Sequence, residues 1–275
     1  MSDEIFAEDI ENIEGLTINY VLNTPNAKLI LGNSLELLEK FNEQMFDMIF
    51  ADPPYFLSNG GTTCRSGKQA SVNKGSWDEN FTLEEKHAFN RQWIRVCKRL
   101  LKPHGTIWIT GTMHNIYSVG MALEQEGYKI LNNITWQKKN PPPNLACMCF
   151  THSTETVLWA RPNPKCTHYF NYELMKEENG GKQMKDVWTG TLTPPREKAH
   201  GKHPTQKPEY LLERIILAST REGDTVLDPF IGSGTTAVVA TRLGRRCVGI
   251  DSCAEYLEIA KSRVLEVSQN LNAQE

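Results

Sequence analysis

Thr225-Val226-Leu227-Asp228-Pro229-Phe230-Ile231-Gly232-Ser233-Gly234-Thr235 runs from a short apolar segment, through two glycines, into a stretch with helical spacing over Thr235–Leu243. It reads as a strand, a tight turn and the start of a helix. Gly232 and Gly234 let the backbone turn sharply and approach a ligand closely. The helix start offers free N–H groups. Working outward, the same alternation recurs on both sides. Arg246–Ile250 reads as a strand and Ala254–Leu271 as a helix, with the helix Glu209–Thr220 upstream. In the first half, Lys28–Leu31, Met45–Ala51, Thr106–Thr110, Tyr128–Trp136 and Thr154–Ala160 read as strands. The helices between them are Leu35–Phe41 (capped by Ser34), Leu83–Leu101 and Ile116–Glu126. Alternating strands and helices imply an α/β fold with a mostly parallel sheet covered on both faces.

The turn at 228–235 is not a phosphate loop, because it lacks the Gly-Lys-Ser/Thr ending. It is not the full dinucleotide fingerprint either, because no third glycine follows at the right spacing. The next strand ends at Asp251, where an acidic residue is placed for ribose hydroxyls. The ligand implied is a nucleoside without a phosphate requirement, a description that S-adenosylmethionine fits.

A second constellation, Asp52-Pro53-Pro54-Tyr55, directly follows the apolar run Met45–Ala51. Ligands of open α/β sheets bind beyond the carboxyl ends of strands. The chemistry suits an exocyclic amine, whose lone pair is delocalised into its ring. Asp52 can accept one N–H and the carbonyl of Pro53, held rigid by Pro54, the other. Tyr55 offers a ring to stack on a base taken out of its helix. A third stretch, His203-Pro204-Thr205-Gln206-Lys207-Pro208, is by chemistry alone a rigid basic turn before a helix.

Composition sets the bounds. The chain has 275 residues, 39% hydrophobic and 23% charged, as in ordinary globular proteins. No apolar run is long enough to span a bilayer, and Met1 to Glu14 is acidic rather than signal-like. A cytoplasmic protein with no membrane partner is expected. The net charge of -3 argues mildly against a nucleic-acid partner. Basic residues nevertheless gather at Lys138, Lys139, Arg161, Lys165, Lys182, Lys185, Arg196, Lys198, Lys202 and Lys207, which allows a basic face in the middle third. The seven cysteines, Cys64, Cys97, Cys147, Cys149, Cys166, Cys247 and Cys253, read as reduced thiols. Cys147 and Cys149 are spaced C-x-C, unlike the pairs of structural zinc sites, so no metal is expected.

Together the three motifs resemble the amino-methyltransferases of DNA in their permuted "beta" order, with D-P-P-Y first, then H-P-T-Q-K-P, then D-P-F-x-G-S-G-T. The resemblance covers about Lys28 to Leu265. Phe50-Ala51-Asp52-Pro53-Pro54-Tyr55-Phe56-Leu57-Ser58-Asn59-Gly60-Gly61, His114-Asn115-Ile116-Tyr117-Ser118-Val119-Gly120 and Gly201-Lys202-His203-Pro204-Thr205-Gln206-Lys207-Pro208 look like the DpnA-type GATC adenine methyltransferases.

The resemblance implies a Rossmann-like S-adenosylmethionine-dependent methyltransferase fold, with a mostly parallel seven-stranded sheet and circularly permuted motifs. It implies Asp52 as amine acceptor and Tyr55 as stacking residue, flanked by Pro53 and Pro54. Asp228, Phe230, Gly232, Ser233, Gly234 and Thr235 would shape the methionine pocket. Asp251 would hold the ribose, and Thr205 and Lys207 would close the cofactor site. Asn33 stands where such enzymes often carry Asp; an amide there still accepts a hydrogen bond. The expected organisation is an arm over residues 1–27, a catalytic half over 28–160, a target-recognition insertion over 161–202 and a cofactor-binding half over 203–275. The loop 57–80 would join the insertion in reading the target.

The implied substrate is adenine N6 within GATC, in single- or double-stranded DNA. A homodimer and a cognate restriction endonuclease are compatible with the resemblance. Rival readings are methylation of cytosine N4, an RNA substrate, a catalytically silent DNA- or cofactor-binding module, and a nicotinamide-dependent enzyme on a similar sheet.

Overall fold

The computed structural model of the protein describes residues 17–55, 62–65, 68–71 and 82–273. The acidic stretch Met1–Glu14 and most of the loop expected at 57–80 lie outside them. Within that loop, β4 (Thr62–Arg65) and β5 (Lys68–Ser71) form a separate antiparallel pair.

The other strands make one nine-stranded sheet. They are β1 (Tyr20–Asn23), β2 (Ala27–Leu31), β3 (Phe46–Ala51), β6 (Leu101–Gly111), β7 (Lys129–Lys138), β8 (Thr154–Arg161), β9 (Val187–Gly190), β10 (Thr225–Asp228) and β11 (Arg246–Asp251), in the order β1-β2-β11-β10-β3-β6-β8-β7-β9. β1 and β8 run against the rest. The sheet is mostly parallel as expected, but it has nine strands rather than seven. Tyr20–Asn23, expected in a loose arm, pairs antiparallel with β2. Val187–Gly190, expected in an irregular segment, pairs parallel with β7. Both are short edge strands of mixed polarity, so neither carries the continuous apolar run of a central strand.

The helices are α1 (Ser34–Leu38), α2 (Leu83–Leu100), α3 (Ile116–Gln125), α4 (Tyr172–Glu178), α5 (Glu209–Ser219), α6 (Thr235–Arg242) and α7 (Ala254–Asn272). The pleat of β3 sorts them onto two faces. Ile49 and Ala51 join the core formed with α1, α2 and α3, whereas Met48 and Phe50 join the core formed with α5, α6 and α7. The cap of α1 is Asn33 and not Ser34. The Asn33 backbone is extended and its side chain accepts from Leu35 N, while Ser34 Oγ donates to the Pro229 carbonyl at 2.5 Å. The Ser34 hydroxyl thus ties the start of α1 to the turn after β10. β6 begins at Leu101, straight after α2, and not at Thr106. The Leu101 N–H still caps the helix through the Cys97 carbonyl while its backbone is already extended.

The amino ends of β3, β6 and β10 are fastened by one buried carboxylate. Asp47 accepts from Lys102 Nζ at 2.8 Å, lies 3.2 Å from His104 Nε2 and accepts from Thr225 N at 2.9 Å. Under the other half of the sheet, Trp108 stacks on Trp159 at 4.7 Å between ring centres and donates to Ser219 Oγ at 3.1 Å. Trp108 is fully buried, so Trp108→Ala should lower stability to urea by about 3–5 kcal/mol, read as a shift in the denaturation midpoint.

Candidate active site

β3 and β10 lie side by side in parallel, with Met48 opposite Val226 and Ile49 opposite Leu227. The chain leaves β3 toward α2 on one face and leaves β10 toward α6 on the other. This is a topological switch point, where the loops part and a crevice opens beyond the strand ends. Asp52 follows β3, Asp228 ends β10, and both line one cleft with Phe50, His203, Thr205, Gln206, Lys207, Leu212, Phe230, Ile231, Gly232, Ser233, Thr235 and Thr236. The three motifs, far apart in sequence, thus meet at one place.

On the β3 side, Thr110 Oγ1 donates to Asp52 Oδ1 at 2.6 Å, and the Tyr55 hydroxyl donates to the same oxygen. Lys207 Nζ donates to Asp52 Oδ2 at 2.5 Å and to the Tyr55 hydroxyl at 2.8 Å. The ammonium also lies 5.3 Å from the centre of the Tyr55 ring. Asn115 Nδ2 donates to the Pro54 carbonyl at 3.1 Å and fixes the proline turn, in which Pro53 is buried. Burial works to lower the Lys207 ammonium, but Asp52 and Glu155 together hold it above its usual value. Burial, with the Asp52 and Glu155 charges, pushes the Tyr55 phenol well up, so it stays neutral.

On the β10 side, Gly232 and Gly234 have φ values of 50° and 80°, a region open to glycine and costly for other residues. A Cβ on Gly234 would fall 2.5 Å from Ala260 Cβ, so the turn packs directly on α7. Asp251 shapes the turn from the neighbouring strand, accepting from Gly232 N at 2.9 Å and from Cys253 N at 2.8 Å. Each Asp251 oxygen keeps further acceptor capacity. Phe230 is wedged edge-on against Trp93 at 5.6 Å. Thr235 Oγ1 donates to the Lys207 carbonyl at 3.2 Å and joins the basic turn to α6. Arg263 Nη1 donates to the Ser233 carbonyl at 2.7 Å.

Asp228 accepts from Thr236 Oγ1 at 2.5 Å and from Phe230 N at 3.0 Å. Burial raises its carboxyl to about 7 against these hydrogen bonds, helped by the charges of Asp52 and Asp251. A buried carboxylate of this kind favours a cationic ligand. Asn33 stands apart: it is exposed, does not line the cleft, and spends its amide on Leu35 N and Glu36. Among the described residues no group of three or more His, Cys, Asp or Glu side chains is placed to hold a metal, and no helix is long and apolar enough to cross a membrane.

Thr110, Glu155 and Thr236 were not singled out from the sequence, and Asn115 stood in the stretch 114–120 without a role of its own. Thr110 and Glu155 carry a weak signal, a polar residue near the end of an otherwise β-forming run. Thr236 sits one residue past the glycine turn, where a hydroxyl reaches back to the strand end.

The raised Asp228 carboxyl has a signed consequence. Its contribution to stability is fully present below its ordinary 3.8 and is lost as pH rises through about 7. Urea denaturation of the ligand-free protein at pH 5.5 and at pH 8 should therefore show a smaller loss of stability for Asp228→Asn than for the unsubstituted chain. Equal losses would show that Asp228 ionises normally.

Residues 46–262 match the model of a family described as DNA methylase, N6_N4_Mtase. The chain is 68% identical over 240 residues to the Type II methyltransferase M2.LlaDCHI of Lactococcus lactis subsp. cremoris, covering 87% of this chain and 89% of that protein. It is 66% identical over 245 residues to the Type II methyltransferase M2.DpnII of Streptococcus pneumoniae, covering 89% and 91%. Among solved structures, the M1.HpyAVI–SAM complex superimposes with a TM-score of 0.64 at 28% identity, covering 86% of this chain and 98% of that one. On its sequence motifs, its sheet and these matches, the chain belongs to the N6_N4_Mtase family of DNA methylases.

Proposed function

We propose that this DNA methylase transfers a methyl group from S-adenosylmethionine to N6 of adenine in GATC, as part of a restriction-modification system. The observation that carries the reading is the meeting of Asp52 and the 228–235 turn at one switch point. The relatives' names, Type II methyltransferases, and the SAM complex of a structural neighbour support it. The assignment to GATC rests on the resemblance carried by 50–61, 114–120 and 201–208.

The cleft fits the cofactor. The buried Asp228 carboxylate suits a cationic ammonium or sulfonium, and Phe230 gives an apolar wall. Gln206 Oε1 is a buried acceptor with no hydrogen-bond partner in the cleft lining, a defect that a polar ligand would mend. Asp228, Phe230, Gly232, Ser233, Gly234, Thr235, Thr205 and Asp251 would hold it. Bound S-adenosylmethionine would supply an electrophilic methyl group.

The chain's own residues prepare the amine. Asp52, oriented by Thr110, accepts one N–H of the adenine amine, and the Pro53 carbonyl accepts the other. Two acceptors aimed in this way draw the nitrogen toward tetrahedral geometry and free its lone pair. They also stabilise the positive charge that grows on it during transfer. The Tyr55 ring supports the base once it is turned out of its stack. The insertion 161–202 reads the target, and DNA, single- or double-stranded, is the macromolecular partner. A second copy of the chain and a cognate endonuclease are further partners under this reading.

With tritiated S-adenosylmethionine, label should enter DNA that contains GATC, as N6-methyladenine by mass spectrometry, and should not enter DNA that lacks it. Label on cytosine, or on other sites, would remove the corresponding part of the proposal. Asp52→Ala should lower transfer by about 10²-fold or more while leaving affinity for S-adenosylmethionine largely intact by calorimetry. Near-normal turnover would remove Asp52 as amine acceptor.

A further inference from the structure

The charged group closest to Asp52 is Lys207, which the resemblance assigns to closing the cofactor site but whose ammonium is bonded to Asp52 and Tyr55. Lys207 Nζ lies 2.5 Å from Asp52 Oδ2 and 2.8 Å from the Tyr55 hydroxyl. It occupies the seat on the carboxylate that an amine must take to be activated. A fixed ammonium there would also oppose the positive charge that develops on the nitrogen. Lys207 therefore has to leave Asp52 before transfer. Its side chain is 6% exposed, so retreat into water is closed to it, and a buried ammonium without a counter-charge is costly.

Glu155 offers the destination. It is the second residue of β8, and because β8 runs against its neighbours, its start lies at the carboxyl ends of the parallel strands, opposite Trp136 of β7. Glu155 Oε1 is fastened by Lys138 Nζ at 2.6 Å. Glu155 Oε2 is buried, has no hydrogen-bond partner and lies 3.6 Å from Lys207 Nζ. This oxygen is ion-paired with Lys207 but makes no hydrogen bond, and a buried acceptor left without one is costly. Closing that gap to a charge-assisted hydrogen bond of about 2.8 Å needs a shift of about 1 Å at the ammonium. Two carboxylates, Asp52 and Glu155, share two ammonium groups, Lys207 and Lys138, so the shift moves no net charge into or out of the site.

We infer that Glu155 is a positioning residue that receives the Lys207 ammonium when the target amine displaces it from Asp52. Before DNA arrives, Lys207 neutralises Asp52 and holds Tyr55. As the flipped base enters, its amine takes the Asp52 oxygen and Lys207 moves to Glu155. This inference rests on the reading of Asp52 as amine acceptor.

The test is a double-mutant cycle on methyl transfer to GATC-containing DNA, at saturating S-adenosylmethionine. Glu155→Gln keeps the shape of the side chain and removes its charge. It should lower kcat by about tenfold or more with the KM for DNA little changed. In a Lys207→Met background, where no ammonium needs a receiver, Glu155→Gln should have almost no further effect. If Lys207→Met fails to fold, Lys207→Gln takes its place. Equal losses from Glu155→Gln in both backgrounds would make Glu155 a structural residue and overturn the inference. So would a near-normal kcat for Glu155→Gln, or an inactive Lys207 variant that folds and binds the cofactor. Asp52→Ala, run alongside, separates the two levels. Transfer surviving in that variant removes the reading beneath, whereas its loss together with a null Glu155 effect removes only the Lys207 shift.

Discussion

Phe46–Ala51 and Thr225–Asp228 lie next to each other in parallel although the stretch between them is most of the chain. Each is fully buried, and the next helices after them, α2 and α6, pack on opposite faces of the sheet. Everything distinctive about the molecule follows from that adjacency. The two loops must separate at the strand ends, and the crevice between them is a place where polar side chains can meet without being covered by a helix. The glycine turn fits there because Gly234 lets α6 start directly under α7. Asp47, at the other end of β3, ties the same strands together by side-chain hydrogen bonds, so the register is set from both ends.

The crevice carries more buried charge than packing alone would tolerate. Asp52, Lys207, Glu155 and Lys138 form one chain of alternating sign, with side-chain exposures of 15%, 6%, 12% and 12%. Each charge is compensated by its neighbours in a poorly solvated place, where an ion pair is screened less than at the surface. Asp228 is arranged differently. Its partners are a hydroxyl and an amide and not a cation, so burial prevails and its carboxyl rises to about 7. Asp52 thus finds its counter-charge within the chain, in Lys207, whereas Asp228 is left to find one in a ligand.

Much of this was legible in the sequence because the central strands end where their chemistry begins. Met45–Ala51 runs straight into Asp52, and Thr225–Leu227 into Asp228, so an apolar run followed by a polar turn marked both sides of the site. The turn His203–Pro208 was legible as a motif, but the reach of Lys207 to Asp52 was not, because that contact spans 155 positions. Glu155 was hidden for a related reason. Only the antiparallel register of β8 carries its first residues to the catalytic edge, and strand direction is a tertiary property. The edge strands β1 and β9 were missed because a single pairing partner demands little of their pattern. Asn33 and Ser34 are both good helix caps by type; the extended backbone at Asn33 decided between them, and it drew Asn33 away from the cleft.

The strand order also has a consequence for how the protein comes into being. β2 and β3 are separated in the sheet by β11 and β10, which are the last strands in the chain. During synthesis, the first-made strands have to wait with their inner edges open until residues 225–251 leave the ribosome. Unpaired apolar edges of that kind are where nascent chains aggregate or recruit chaperones. Such long-range pairing is slow to form, because loop closure precedes the contacts that reward it. The central strands arrive last, so an interrupted product keeps Asp52-Pro53-Pro54-Tyr55 and lacks the neighbour that makes it a site.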